Sequence, residues 1–375
     1  MRYVRMPIEV ESPEEAGYAT IAANLAESSM PDVTLGSGGL GLDVGLDTIV
    51  LGYGDHRGEP ALRRMIAAEA ATTPDAVLLT PGAAGALFIV QTALLGAGDH
   101  LVVVRPNYAT NIETPRAIGC DVTHLDLSFD DAWRLDPDAV AAAITERTRV
   151  VSITTPHNPT GTVVEAGVVD AVSRTCAERG CVLLVDETYR DLAYGDPGPP
   201  AAALGPHVVS VSSLSKAYGL PGIRVGWIVC TDPALVELFL AAKEQTVICG
   251  SVLDEAVAAD VYRRRHDLRR ANVAAARAGL EVVRTWIAGV DALEWVEPAG
   301  GAVCFPRLAD DAGVDAARFH QVLREDMRTW VGPGHWFEQP LRYFRVGFGW
   351  PPVAELQRGL ANVEAAIAEA GRGRA

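Results

Sequence analysis

Basic residues are in the minority: 32 Lys and Arg stand against 48 Asp and Glu in 375 residues, a formal net charge of −16. Nucleic-acid phosphates and anionic membrane surfaces select basic faces, so neither is an expected partner. A small-molecule site stays open, because a few local arginines there outweigh the sum. Long apolar runs are also missing. No stretch approaches the ~20 apolar residues that span a bilayer, and Met1-Arg2-Tyr3-Val4-Arg5-Met6 begins no signal peptide. Only six cysteines occur (Cys120, Cys176, Cys181, Cys230, Cys249, Cys304), with no C-x-x-C among them. Cys176 and Cys181 are five apart and lack histidine partners, which argues against a zinc or disulfide framework and for core thiols in a reduced, cytoplasmic protein. Repeats and low-complexity blocks are absent.

What is present is an ordinary globular balance, 49% hydrophobic and 21% charged, and chain enough for two or three domains at roughly 100–200 residues each. Ser12-Pro13-Glu14-Glu15 reads as an N-cap, a first-turn proline and a capping-box acid, predicting a helix to about Glu27. Residues 28–45 read as a Gly- and Ser-rich loop. Within it, Gly36-Ser37-Gly38-Gly39-Leu40-Gly41 matches G-x-G-x-x-G, but no strand precedes it and no helix opens inside it, so a dinucleotide site is not expected.

From Tyr53 onward short apolar strands alternate with amphipathic helices. Strands are predicted at Val77–Thr80, Leu101–Val104, Asp121–Leu125, Val150–Thr154, Val182–Asp186, Val208–Ser212 and Val225–Cys230. Near-continuous apolar strands separated by helices predict an α/β fold with a mostly parallel central sheet covered on both faces. After Thr231 the pattern becomes helical, with a long Arg- and Ala-rich helix from Arg263 to Ala288. A smaller α+β unit follows. The expected division is a large domain at 46–262 and a small one built from 1–45 and 263–375.

The unusual residues fall at strand ends, where open α/β sheets bind ligands. Thr80-Pro81-Gly82-Ala83-Ala84-Gly85-Ala86 joins a strand to a helix without bulk, leaving bare N–H groups suited to phosphate or merely to close packing. Tyr108 follows Pro106-Asn107, either at the core edge or stacked on a flat ring. His157-Asn158-Pro159-Thr160-Gly161 is a turn, and His157 has no metal partner spaced with it. Asp186 ends an apolar run, where a carboxylate is costly without a cation such as a pyridinium nitrogen. Tyr189 stands three residues on. Lys216 sits just past a strand end among small residues, Ser213, Leu214, Ser215 and Ala217, with Arg224 beyond a Gly-Leu-Pro-Gly turn. Lysines in such settings form Schiff bases with carbonyl compounds, pyridoxal phosphate (PLP) among them. Taken alone, each feature also has an ordinary surface or turn reading.

The ordered set of an Asn-Pro turn, Asp-x-x-Tyr, Ser-x-x-Lys and an arginine eight beyond the lysine resembles the fold-type-I PLP enzymes, specifically the class I/II aminotransferases. The resemblance runs from Tyr53 to Arg345. It implies that Lys216 carries PLP as a Schiff base and moves a proton, and that Asp186 pairs with the ring nitrogen. Asn158 and Tyr189 would bond the ring hydroxyl, and Tyr108 would stack on the ring. Ala83, Ala84, Ser213 and Arg224 would hold the phosphate, with Ser215 beside them and Tyr53 reaching the phosphate of a neighbouring subunit. Arg345 would clamp the substrate α-carboxylate. An amino acid and a 2-oxo acid are the implied substrates, and a homodimer with shared sites the implied assembly.

The front of the chain departs from the family pattern of a covering glycine followed by Glu-Pro-Asp. Asn24-Leu25-Ala26-Glu27-Ser28-Ser29 occupies that region, and Gly38 is the match for the covering glycine. This short front, with the sequence around Lys216, also resembles enzymes of the capreomycidine synthase type, which work on arginine-derived substrates and some of which eliminate, cyclise or oxidise. Transamination and those outcomes therefore both stand as expectations. A PLP-sensing regulator is set aside, since the roughly fifty residues before Tyr53 carry no basic helix-turn-helix pattern. Glu27 reads as a surface acid at a helix end. Inside a pocket it would favour a cationic substrate side chain.

Overall fold

The structure, a computed structural model, describes residues 1–36 and 40–371. Seven strands form the central sheet: β1 Val77–Pro81, β2 His100–Arg105, β3 Asp121–Asp126, β4 Thr148–Thr154, β5 Val182–Asp186, β6 Val208–Ser213 and β7 Val225–Cys230. Their spatial order is β1-β7-β6-β5-β4-β2-β3. Strands β2 to β6 pair in parallel, while β7 runs antiparallel to both β6 and β1. The carboxyl ends of β1 to β6 and the amino end of β7 thus share one edge.

Side chains alternate across the sheet, so an unbroken apolar strand feeds two cores. Leu101 and Val103 of β2 pack with Leu87, Val90 and Phe239 on one face. Val102 and Val104 pack with Val172, Cys176 and Leu183 on the other. Helices Gly82–Leu94, Thr110–Ile118, Pro137–Ala143, Ala166–Arg179 and Pro233–Glu244 cover these faces. The six cysteines are free. No helix among the described residues is long and apolar enough to cross a membrane.

Beyond the sheet, helix Val252–Arg263 breaks at Arg264, and Arg265–Ile287 forms the long helix. A three-stranded antiparallel sheet pairs Phe344–Gly347 with Val303–Cys304 on one side and Gly332–Pro333 on the other. Helix Ala316–Gln321 runs on into a π-helical turn, Val322–Asp326.

The front of the chain differs from its prediction. Ser12 does cap a helix, its Oγ accepting from Glu15 N at 3.4 Å, but that helix is only Pro13–Ala16. Gly17 follows at φ +84°, a left-handed turn that ends it. A second four-residue helix, Pro7–Val10, precedes it. Ala23–Asn24 is instead a strand parallel to Thr329–Trp330. Leu25 N donates to Trp330 O at 2.8 Å, and Gly347 N donates to Leu25 O at 2.7 Å. Burial of Ala23 to Ala26 against the C-terminal unit overrides the helical pattern.

Candidate active site

Where β1 to β6 end, a cavity of about 240 Å³ opens. It collects side chains from distant parts of the sequence. Ala83 and Ala84 come from the β1–helix junction, Tyr108 from the end of β2, Asn158 from beyond β4, and Asp186 and Tyr189 from the end of β5. Ser213, Ser215 and Lys216 come from the end of β6, Arg224 from the start of β7, and Arg345 from strand Phe344–Gly347. Another sequence candidate, Tyr53, is not among its described walls. It is 86% exposed on the surface, and Gly38 lies outside the described residues.

Asp186 is buried at the cavity floor. Its Oδ1 accepts from Thr188 N at 3.1 Å and Thr188 Oγ1 at 2.6 Å, and its Oδ2 accepts from Asn111 Nδ2 at 3.3 Å. Burial pushes its pKa up, and the bonds from Thr188 and Asn111 oppose that shift. No cation among the described residues pairs with it. Asn111 escaped the sequence reading. It belongs to a buried chain of amides and hydroxyls: Asn111 Nδ2 donates to Asn107 Oδ1 at 3.2 Å, Thr154 Oγ1 donates to the same oxygen at 3.0 Å, and Ser152 Oγ donates to Asn111 Oδ1 at 3.3 Å. Such a network fixes the orientation of the floor. The Tyr189 hydroxyl is buried with no hydrogen-bond partner among the described residues. Burial raises the phenol of Tyr108 to about 12, and its hydroxyl donates to Glu9 Oε1 at 3.4 Å.

At the other end, helix Gly82–Leu94 begins with its amide groups at the cavity. Arg224, left-handed at φ +47°, donates from Nη1 to Pro221 O at 2.8 Å and to Ser215 Oγ at 3.5 Å. Two glycines keep the cup open. A Cβ on Gly226 would lie 2.5 Å from Gly82 C and 2.7 Å from Ala83 N, against backbone that cannot yield. A Cβ on Gly82, itself at φ +71°, would lie 2.6 Å from Arg224 Nη2. The Gly82→Ala variant is therefore expected to displace the guanidinium and weaken PLP binding by about 10- to 100-fold, the worth of a charged hydrogen bond. Titration of the apoprotein with PLP, followed by absorbance, reads this directly.

Arg345 forms the third wall. It is 4% exposed; Nη1 donates to Asn158 Oδ1 at 2.9 Å and Nη2 to Ala26 O at 2.6 Å. Its Nε is buried without a hydrogen-bond partner among the described residues, and its guanidinium lies 5.0 Å from the Phe337 ring. Lys216 is half-buried, its backbone carbonyl accepting from Met30 N at 2.9 Å. His157 behaves as a turn residue. It is bonded to Thr160 Oγ1 and Pro106 O, each at 2.8 Å, and burial lowers its pKa to about 4.

Glu27 is not the surface acid at a helix end that the sequence suggested. No helix reaches it, and it lines the cavity with Glu9, Ser12 and Glu14 of the N-terminal segment and Trp336. Helices of four residues carry no usable periodicity, which is why this segment gave no site signal.

The residues fit a phosphorylated pyridine aldehyde. A helix N-terminus and Arg224 suit the phosphate, uncompensated Asp186 suits a ring nitrogen, and the orphaned Tyr189 hydroxyl suits a ring oxygen. Fold and site together define a PLP-dependent enzyme of fold type I. Residues 41–362 match the family described as aminotransferase class I and II, and the chain belongs to that family. It is 32% identical to capreomycidine synthase of Streptomyces vinaceus over 333 residues, 88% of this chain and 84% of that protein. It is 31% identical to an arginine–pyruvate transaminase of Pseudomonas aeruginosa, over 60% of this chain and 63% of that one. A PLP-dependent aminotransferase structure from Streptococcus suis superposes with a TM-score of 0.90 at 25% identity, covering 99% of both chains. The PLP-dependent cyclase OrfR gives 0.86 at 28% identity, covering 98% of both.

Proposed function

We propose that the protein transfers the amino group of an α-amino acid to a 2-oxo acid, with Lys216 as its Schiff-base lysine. The supporting observation is one cavity holding Lys216, Asp186 and Arg345 together. PLP, when bound, supplies a protonated ring that draws in the electron pair left at the substrate α-carbon. Asp186 keeps the ring nitrogen protonated, and Tyr189 and Asn158 bond the ring hydroxyl. Tyr108 stacks on the ring. The N–H groups at Ala83 and Ala84, the hydroxyls of Ser213 and Ser215, and Arg224 bind the phosphate. Arg345 and Asn158 would orient the substrate α-carboxylate, and Lys216 Nζ would carry the proton between the substrate α-carbon and the cofactor C4′. Tyr53, exposed on the single chain, would complete the phosphate site of a second copy in a homodimer.

The likeness to capreomycidine synthase and to the cyclase favours a second reading, in which the same proton removal leads to elimination or ring closure. The two are separated by presenting the holoenzyme with amino acids in the presence and absence of a 2-oxo acid. Transamination is expected to need the oxo acid for sustained turnover and to convert it to an amino acid. Ammonia or a cyclic product without the oxo acid would establish the second reading. A bound-cofactor spectrum that no amino acid perturbs would overturn both.

A further inference from the structure

The cavity walls carry more negative charge than the proposed ligands explain. Lys216, Arg224 and Arg345 each have an anion or carbonyl to meet, and Asp186 has the ring nitrogen. Glu9, Glu14 and Glu27 also line the cavity, and none forms an ion pair among the described residues. Carboxylates beside a phosphate and an α-carboxylate repel both; water screens the exposed ones, but one lying farther in is unfavourable unless a cation arrives with the substrate. Glu9 and Glu14 are exposed at the mouth, while Glu27 is half-buried farther in.

We propose that Glu27, with Glu9 and Glu14 at the mouth, selects an α-amino acid whose side chain ends in an ammonium or guanidinium group. This inference rests on the functional reading above. Glu27 is adjacent in sequence to Ala26, whose carbonyl accepts from Arg345 Nη2 at 2.6 Å. The proposed α-carboxylate clamp and the acid thus belong to one extended segment. That segment is fixed: Leu25 is bonded on both sides, and a Cβ on Gly347 would overlap the Glu27 carbonyl.

The Glu27 side chain is also tethered. Its Oε1 accepts from the Tyr18 hydroxyl at 3.0 Å, and Tyr18 stacks on Trp350 with centroids 6.1 Å apart and planes 17° from parallel. Trp350 Nε1 donates in turn to Asp32 Oδ2 at 3.1 Å. Oε2 has no hydrogen bond among the described residues, leaving a lone-pair face for a donor. Burial raises the Glu27 pKa, and the partial opposition of Lys216 and Arg345 leaves it short of counter-charge. Tyr108 and Trp336 add aromatic faces to the same cavity, surfaces on which a guanidinium or ammonium is also favoured.

An acidic side chain would meet three like charges here, and an apolar one would bury Glu27 unpaired. The test compares L-arginine with its neutral isostere L-citrulline, and L-lysine with L-norleucine, on the PLP-loaded enzyme. Affinity is read from the absorbance change on binding and kcat/KM from product formation. One cationic member is expected to exceed its neutral partner by about 10- to 100-fold, a charged hydrogen bond's worth. Glu27→Gln should erase that preference, chiefly by lowering the response to the cationic member, while PLP content stays unchanged. Tyr18→Phe should lessen it. Arginine alone responding identifies a guanidinium, and lysine alone an ammonium. Equal response to charged and neutral partners, or a preference that survives Glu27→Gln, overturns the proposal. A spectrum that responds only to neutral or acidic amino acids overturns the selection and leaves the functional reading standing. Silence toward every amino acid overturns the functional reading as well.

Discussion

Replacing Lys216 with alanine is expected to lower turnover by about 10⁴-fold, the upper range for loss of a positioned acid–base group, in a protein that remains folded. The fold should survive because the lysine Nζ donates to no described residue. Leu214, Ala217 and Tyr218 around it are buried and would keep the turn after β6 in place. Lys216 is the one lysine among the described residues lining the cavity, so no neighbour can replace it. Borohydride reduction followed by peptide mapping gives a second readout. The unmodified protein should yield a pyridoxyl label on the peptide containing residue 216, and Lys216→Ala should yield none. Turnover persisting near its original rate, or a label on another lysine, would remove the basis of the proposed function.

The sheet was legible because its residues announce it twice. Val182–Asp186 and Val225–Cys230 are apolar runs bounded by turn residues, and both form strands over the predicted ranges. The residues named at their ends were identifiable for the same reason, since each breaks an apolar pattern with a chemically distinctive group. Asn111 was not legible. Its role depends on facing Asp186 and Ser152 across the cavity floor, and an asparagine inside a helix has no sequence signal for that. The front of the chain misled for a different reason. Ser12 to Glu15 forms a real cap, but the cap starts one turn of helix, and Gly17 then frees the chain to pair with Thr329–Trp330, more than three hundred residues away. Glu27 followed that segment into the cavity. Local propensity sets the start of a helix, whereas its end here is set by tertiary pairing.

Asp186→Asn is expected to act in opposite directions on the loaded and empty protein. Thr188 can still donate to the retained oxygen, and the 3.3 Å bond from Asn111 is the weakest part of the set to be lost. In the loaded enzyme, by the proposed binding mode, the change would remove the negative partner of the ring nitrogen. Breaking a buried ion pair costs about 3–5 kcal/mol, so activity and cofactor retention together should fall by about 10²- to 10⁴-fold. In the empty protein the same carboxylate is a liability. Its pKa is raised by burial, so the folded state binds this proton more tightly than the unfolded chain does. Stability attributable to this group is therefore greatest in acid and declines as pH rises through the interval between its unfolded and folded pKa values. The asparagine cannot ionise and should lose that decline. Thermal melts of the apoproteins across this interval should show Asp186→Asn gaining on the unmodified protein as pH rises, while PLP stabilises the unmodified protein more strongly than the variant. A variant apoprotein that loses stability in parallel with the unmodified one, or that gains as much from PLP, would mean that Asp186 is neither uncompensated when the site is empty nor paired when it is filled.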